Sequence, residues 1–282
     1  MAPPTFADLG KAARDVFGKG YNHGLVKLDT TTRGNDNGTV EFKTSATHNL
    51  TSEQLAGTVD IKFKVPERGV TITEKLNTSG SLSTVLEVND QFARNLKVTL
   101  DSVYVPNTGK RDATLKSEWF NDAARVNINL GLIGGPVALV SGVVGQNGWL
   151  AGAQGRFDVS TNELKNTSVA FGYQHPNYTI HSFCNDGKEF GGSLYHRVHK
   201  NVELGAQLGW TNGEEKVRYA LGSTYKINPD LLLRAKVDNK AVVGLAATHA
   251  LGPNVKASIS TQFGLTTANS QNKLGVGIEY TP

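Results

Sequence analysis

The chain has 282 residues, a formal net charge of +4 and a sequence pI near 9.0. Hydrophobic residues make up only 38% of it, while glycine occurs 31 times. This composition does not suit an α/β core buried on both faces of its sheet, and it favours many strands with one apolar face each. Lysine and arginine are spread along the chain, whereas nucleic-acid-binding proteins usually concentrate them in a patch, so we expect no nucleic acid partner. The single cysteine, Cys184, excludes a disulfide framework and a cysteine-based metal site within one chain.

Residues 1–20 differ in pattern from the rest of the chain. Thr5 is a suitable N-cap, and apolar residues recur at helical spacing from Phe6 to Phe17. Gly18 provides an end signal. The pattern predicts a short amphipathic helix, docked either on a protein core or against a barrel wall or membrane surface.

From Leu25 to the C-terminus the hydrophobic period changes to two. Every second side chain is apolar in residues 59–65, 202–210 and 255–263, as expected for strands with one apolar face. Motifs of Asn, Asp, Gly and Pro separate such runs at intervals of about 8–12 residues. The clearest turn motifs are residues 35–38, 66–69, 106–109, 146–148, 185–187 and 228–230. Composition does not shift along this region, so we predict a single β domain over residues 25–282.

Alternation alone leaves two architectures open. A soluble sandwich buries its apolar faces, whereas a transmembrane barrel turns them towards lipid and lines a wet lumen with the polar ones. No run approaches 18 consecutive apolar residues, and we expect neither a transmembrane helix nor a secretory signal peptide. Aromatic residues near the ends of runs modestly favour the barrel, because they suit an interfacial girdle. These residues are Trp149, Trp210, Tyr225 and Tyr280.

Glu74 interrupts one apolar face. It has the same parity as Val70, Ile72 and Leu76, where a carboxylate is costly unless it is protonated, paired or near the interface. Either the strand ends or bulges at this residue, or the carboxylate faces lipid or a protein core.

Motifs for catalysis are missing from the sequence. It has no GxSxG, HExxH or P-loop motif, and its seven histidines form no clear metal-ligand constellation. We therefore expect neither an enzyme nor a metal site.

Motifs spread in order over nearly the whole chain carry a resemblance to a known family. The most specific is Ala235-Lys236-Val237-Asp238-Asn239, which is followed by Gly244-Leu245. The other motifs lie at residues 3–11, 14–17, 19–21, 27–29, 71–75, 77–78, 106–110, 148–152, 185–187, 189–193 and 273–279. Together they resemble the eukaryotic mitochondrial porins, the voltage-dependent anion channels.

The resemblance implies an all-β fold, a transmembrane β-barrel of about 19 strands with the N-terminal amphipathic helix inside the pore. The strand number comes from the family and not from the periodicity. It further implies a voltage-gated, weakly anion-selective channel of the mitochondrial outer membrane that passes small anions and metabolites such as ATP and ADP by diffusion. The implied partners are membrane lipids, small anions and nucleotides, hexokinase, apoptosis regulators and further copies of the chain.

The resemblance also assigns site residues. Weak nucleotide contacts, with ATP and NAD as permeants or modulators and not as cofactors, are implied at Lys11, Lys19, Val242, Val243, Gly244, Ser260, Thr261, Gln262, Phe263 and Gly264. Glu74 matches the lipid-facing carboxylate that the family uses in gating and in hexokinase association. From their charge and parity, we expect anion selectivity to depend on Lys11, Arg14, Lys19, Lys62, Lys97 and Lys116.

Some positions depart from the family pattern, which weakens nucleotide contacts inferred there and suggests altered gating. They are Leu76, Asn95, Asn228, Leu231 and Gly264. Two other functions stay open at this point: the related protein-import pore of the same membrane, and a soluble β-sandwich binding module. The import pores usually have a longer N-terminal extension and lack the motif at residues 235–239. A bacterial porin is disfavoured because no signal peptide is evident.

Overall fold

In the computed structural model, which describes residues 2–34, 39–133, 136–266 and 272–282, nineteen strands form one sheet. The first ten strands are β1 (Leu25–Arg33), β2 (Val40–Asn49), β3 (Leu55–Val65), β4 (Val70–Asn77), β5 (Leu82–Asn89), β6 (Leu96–Val105), β7 (Lys110–Phe120), β8 (Ala124–Ile133), β9 (Val137–Gln146) and β10 (Trp149–Asp158). The others are β11 (Glu163–Gln174), β12 (Tyr178–Asn185), β13 (Glu189–His199), β14 (Val202–Thr211), β15 (Arg218–Lys226), β16 (Leu231–Asp238), β17 (Val242–Ala250), β18 (Val255–Gly264) and β19 (Lys273–Tyr280).

The sheet closes into a barrel. Each strand pairs antiparallel with the next in sequence, and β1 pairs with both β2 and β19. An odd number of strands makes the closing pair parallel, and it runs in register from Val26 opposite Val276 to Thr30 opposite Tyr280. Closure leaves no strand edge unpaired, which is the condition for a sheet to cross a bilayer. The predicted all-β barrel of about 19 strands is confirmed.

The structure shows which face of the alternating strands points outward. In β14, Leu204 and Leu208 are 42% and 56% exposed, whereas Gly205 on the opposite face is buried under Val16 of the N-terminal segment. The N-terminal segment lies inside the barrel, so the exposed leucines face outward. An apolar outer face and a polar inner face are the arrangement of a membrane barrel and the reverse of a soluble sandwich.

The N-terminal helix is shorter than the predicted span of residues 1–20, and it is interrupted. A 3₁₀ turn covers Phe6–Asp8, and the α-helix α1 covers Lys11–Gly18. Gly10 lies between them with φ at 67°, a left-handed conformation that glycine adopts without a Cβ clash. Sequence periodicity did not detect this break, because the apolar face continues across it. No helix in the described residues is long and apolar enough to span a membrane.

The predicted turns lie between strands, except that residues 35–38 fall outside the described ranges. The four predicted girdle aromatics lie within one residue of a strand end, at both rims of the barrel. Asn95, one of the positions that depart from the family pattern, has φ at 61°. Asparagine tolerates that left-handed region better than most residues, so this departure keeps the turn. Asn228 also keeps its turn, because its side-chain oxygen accepts from the backbone N–H groups of Asp230 and Leu231.

Candidate functional site

The candidate site is the lumen together with the N-terminal segment, defined as residues 2–24, which crosses it. Leu9 is 3% exposed and packs with Val143 and Ala170, both of which face inward. Phe6, Leu150 and Phe183 surround this cluster. An apolar patch inside a wet lumen is stable only when it is covered, and the N-terminal segment covers it.

Glycines on the wall bring α1 close to the strands. A Cβ at Gly205 or Gly222 would lie 3.0–3.1 Å from atoms of Val16 and Phe17. These two glycines oppose each other on β14 and β15, so they form one shallow depression in the wall. The apolar face of α1 fills that depression, and Val16 is 3% exposed as a result.

The last part of the segment, residues 19–24, crosses β16 to β19 before β1 begins. The Lys236 ammonium donates to the carbonyl of Phe17 at 2.8 Å. Asn22 donates from its backbone N–H to Ser260 Oγ at 2.9 Å and from its side chain to Ser258 Oγ at 3.0 Å. A Cβ at Gly275 would overlap the carbonyl of Asn22, so the segment lies directly on the strand backbone there.

Most of the predicted selectivity cations have local partners. Lys11 and Lys19 both pair with Asp15, at 3.4 Å and 2.7 Å, and Arg14 donates to the carbonyls of Leu9 and Ala7. Arg14 therefore holds the break between the 3₁₀ turn and α1 together.

The three predicted wall lysines face inward, Lys62 on β3, Lys97 on β6 and Lys116 on β7. Lys97 pairs with Glu87 at 3.2 Å, and Lys116 pairs with Asp101 at 2.8 Å. Within the described part of the chain, Lys62 forms no salt bridge, and its side chain borders a cavity of about 230 Å³. Local pairing leaves the alternating charges of this wall nearly balanced.

The two predicted nucleotide segments lie side by side, because Val242 pairs with Gly264 and Gly244 pairs with Gln262. Their side chains alternate between lumen and lipid, however. The lumen-facing members are Val242, Gly244, Ser260, Gln262 and Gly264, and the outward members are Val243, Thr261 and Phe263.

The N-terminal segment already occupies this part of the wall. Ser260 is 1% exposed beneath Asn22, and the imidazole of His23 lies 3.0 Å from where a Gly244 Cβ would be. The structure does not bring Lys11 or Lys19 to these two segments. Lys19 borders a separate lumen cavity of about 1110 Å³.

That larger cavity contains basic residues that the sequence reasoning did not identify. It lies between the N-terminal segment and the turns at one rim of the barrel. Its cations besides Lys19 are Arg197, Lys200, Lys226 and Arg234. Arg197 pairs with Glu203 at 3.2 Å. The alternation in the sequence could have shown that Arg197, Lys226 and Arg234 share the lumen face. It could not have shown that they lie close together, because that depends on the register between their strands.

Glu74 lies on the outer face. β4 continues through it without a register shift, so the strand neither ends nor bulges there. Its carboxylate accepts from the Thr84 hydroxyl of β5 at 2.9 Å. Ile61 and Thr84 are its direct neighbours across the sheet, which makes this an isolated acid in an apolar outer surface.

No group of His, Cys, Asp or Glu in the described ranges is arranged to hold a metal ion.

The model of the eukaryotic porins matches residues 2–275. The chain belongs to the eukaryotic porin family. Family membership confirms the resemblance, and it agrees with the expectation that the protein is not an enzyme, because these proteins are channels.

Relatives match over their full length. The "Probable voltage-dependent anion-selective channel" of Caenorhabditis elegans is 51% identical over 282 residues, covering 100% of this chain and 99% of the relative. The human "Non-selective voltage-gated ion channel VDAC1" is 41% identical over 284 residues, covering 99% and 98%. The turkey (Meleagris gallopavo) VDAC2 is 39% identical, covering 98% and 94%. Among solved structures, a mutant of the Rh. blastica porin aligns at 11% identity over 91% of this chain and 97% of its own, with a TM-score of 0.49.

Proposed function

We propose that this porin is a voltage-gated, weakly anion-selective channel of the mitochondrial outer membrane, through which small anions and metabolites diffuse. The observation that carries the proposal is a closed membrane barrel with its own N-terminal segment seated in the lumen. Full-length relatives with channel names support it. Their printed names differ, however, since the nematode protein is called anion-selective and the human one non-selective. Anion preference is therefore the property to measure.

A wide lumen selects by its charge and not by dehydrating ions. The chain carries a net charge of +4, and its lumen face alternates basic and acidic residues that are mostly paired. Such a surface raises the local anion concentration only modestly, and salt screens the effect beyond a Debye length of about 8 Å at physiological ionic strength. Weak selectivity that fades as salt rises follows from this arrangement.

The direct test is a planar bilayer recording of the refolded protein under a salt gradient. We expect large discrete openings, a reversal potential that favours anions, and closure at both voltage polarities. A reversal potential of zero at low salt would contradict anion selectivity, and openings that never close with voltage would contradict gating.

Nucleotides are the permeants that the family resemblance suggests. Direct contact of ATP or NAD with Gly244 and Ser260 requires residues 22–23 to leave the wall first, because these residues cover both positions. The cavity beside Lys19 has no such obstacle. We therefore expect Lys19→Gln to weaken block of the current by ATP, while Ser260→Ala leaves the block unchanged as long as the segment covers that position. Equal effects of both substitutions would contradict the expectation that ATP reaches Lys19 before it reaches the covered wall.

The role of Glu74 in gating and hexokinase association is a separate proposal, supported by its outward position beside Thr84. Glu74→Gln keeps the shape and the acceptor oxygen but removes the charge. The variant should conduct normally while its closing kinetics and its binding of hexokinase to vesicles change. Loss of conductance would contradict the role, because the residue lies outside the lumen.

Two alternatives are not favoured. The full-length relatives carry channel names, which favours a channel over the protein-import pore. The closed barrel with outward apolar residues does not fit a soluble sandwich. Binding of apoptosis regulators and assembly into homo-oligomers remain predictions from the family.

A further inference from the structure

The end of α1 depends on the barrel wall for its hydrogen bonds. The last carbonyls of a helix have no partner within the helix, and they carry partial negative charge. α1 has no basic residue in its last turn, and the ammonium of Lys19, the residue that follows it, pairs with Asp15 instead. Lys236 supplies the cation from β16, with Nζ 2.8 Å from the Phe17 carbonyl.

The same ammonium makes a second contact with the N-terminal segment. Lys236 Nζ lies 4.0 Å from the centroid of the Tyr21 ring, within the range of cation–π attraction. The Tyr21 hydroxyl is buried and has no hydrogen-bond partner in the described part of the chain. The ring, and not the hydroxyl, is therefore the group that Lys236 recognises. One side chain thus joins the end of α1 to the connection that follows it.

The wall is shaped to place Lys236 there. In the register of the sheet, Lys236 lies between Gly222 of β15 and Gly244 of β17. Phe17 lies over Gly222, and the aliphatic chain of Lys236 lies over Gly244, where a Cβ would be 3.0 Å from Lys236 Cε. Small residues on both sides give the lysine room to reach across the wall towards α1.

Neighbouring cations do not share this position. The Arg234 guanidinium lies near Gly20, but its hydrogen bond goes to Thr248 Oγ1 at 3.4 Å. Lys256 of β18 also faces the lumen, yet within the described ranges it forms no hydrogen bond or salt bridge. Lys256 therefore provides a matched control, since removing it changes the lumen charge by the same amount without touching the segment.

We infer that Lys236 is a positioning residue for gating, one that holds the N-terminal segment on the wall by binding the carbonyl end of α1 and the ring of Tyr21. Its action on the segment follows from these contacts alone. Its action on gating rests on the proposed channel function.

Two measurements on the full-length protein in detergent micelles and planar bilayers test this. Hydrogen exchange of residues 11–21 reports whether the segment is seated, and the half-closing voltage reports gating. Lys236→Met should speed exchange by about tenfold or more, since hydrogen bonds to charged groups stabilise by more than the ~1.4 kcal/mol of one factor of ten. It should also shift the half-closing voltage. Lys236→Arg should restore most of both properties, and Lys256→Met should alter neither.

Tyr21 gives an independent test that does not touch the strands. Tyr21→Phe keeps the ring and should resemble the wild type, whereas Tyr21→Leu should speed exchange in the same direction as Lys236→Met. If Lys236→Met prevents barrel formation, the comparison of Tyr21→Phe with Tyr21→Leu still tests whether this contact holds the segment on the wall.

Wild-type exchange in Lys236→Met, or equal behaviour of the two Tyr21 variants, would overturn the positioning role. Faster exchange with an unchanged half-closing voltage would overturn the link to gating while leaving the contact intact. Absence of any channel openings in the wild type would contradict the proposed function instead, and the exchange result would be unaffected by it.

Discussion

Two parts of the lumen wall differ in chemistry although they belong to one sheet. The helix-bearing wall, defined as the lumen-facing residues of β9–β15, presents glycines and apolar side chains such as Val143 and Leu150 to the N-terminal segment. The charged wall, defined as the lumen-facing residues of β2–β7, presents paired charges such as Lys97 with Glu87. One wall is specialised for packing and the other for contact with water and ions. Each should therefore respond to substitution in its own way.

The largest effect is expected at the centre of the helix-bearing wall. Leu9→Ala removes a side chain that is 3% exposed, and such truncations cost about 2–5 kcal/mol through lost burial and the cavity left behind. The loss should appear as rapid hydrogen exchange of α1. Leu208→Ala is the matched control, because that leucine faces outward and leaves no cavity within the lumen. Similar exchange in both variants would mean that the apolar patch does not hold the segment.

A smaller loss is expected where the segment touches strand backbone. Gly275→Ala places a Cβ against the Asn22 carbonyl, and overpacking of this kind typically costs about 1–3 kcal/mol. We expect faster exchange of residues 21–24 with an intact barrel by circular dichroism. Gly209→Ala should be silent in the same assay, because its Cβ would meet only the Arg218 side chain, at 3.8 Å.

A pH effect sharpens the comparison further, because the N-terminal segment contains a histidine kept neutral. His23 lies in the connection before β1, and burial, followed by the positive charges of Lys236 and Lys273, lowers its pKa to about 4. Once released, the imidazole regains an ordinary pKa of about 6.5. Above pH 6.5, His23 is neutral whether or not the N-terminal segment lies on the wall, so it does not oppose that position. As the pH falls from 6.5 towards 4, protonation favours the released segment and the segment on the wall becomes less stable.

The measurement is hydrogen exchange of residues 19–24 at pH 7.5 and pH 5, each referred to His23→Phe at the same pH. The wild type should lose protection relative to the variant at pH 5 only. His175→Phe is the control variant, because this histidine lies in a turn at the rim, and it should keep the pH dependence of the wild type. Equal pH dependence in the wild type and His23→Phe would exclude His23 as its source.

The smallest effect on stability is expected on the charged wall. Lys97→Gln breaks a partly exposed pair with Glu87, and such pairs contribute about 0–1 kcal/mol. Thermal unfolding should therefore barely change, whereas the reversal potential at low salt should move towards cations, because Glu87 is left unpaired. Lys97→Arg should keep the wild-type value. A large loss of stability with unchanged selectivity would contradict the division between the two walls.

The sequence by itself determined the barrel's strands and their faces. A period of two fixes which side chains share a face, and turn residues fix where strands stop, since both depend on neighbours only a few residues apart. Asn228 and the residues around it show this, because the side chain that marks the turn also forms its hydrogen bonds. The total of 19 strands came from the family resemblance, since closure is a property of the whole sheet.

Only the tertiary structure decided which charges remain available in the lumen. Lys11 and Lys19 each lie four residues from Asp15, so their pairing follows from the helix alone. Lys97 and Lys116, in contrast, meet their acidic partners only through the pairing of neighbouring strands. Val143 and Leu150 are apolar residues on the lumen-facing side of their strands, and their packing in one cluster with Leu9 of the N-terminal segment explains them. Lys236 lies 219 residues from Phe17 in sequence, and no local pattern relates the two. Such contacts depend on sheet register and on the path of the N-terminal segment, which are set by packing across the lumen and not by the order of neighbouring residues.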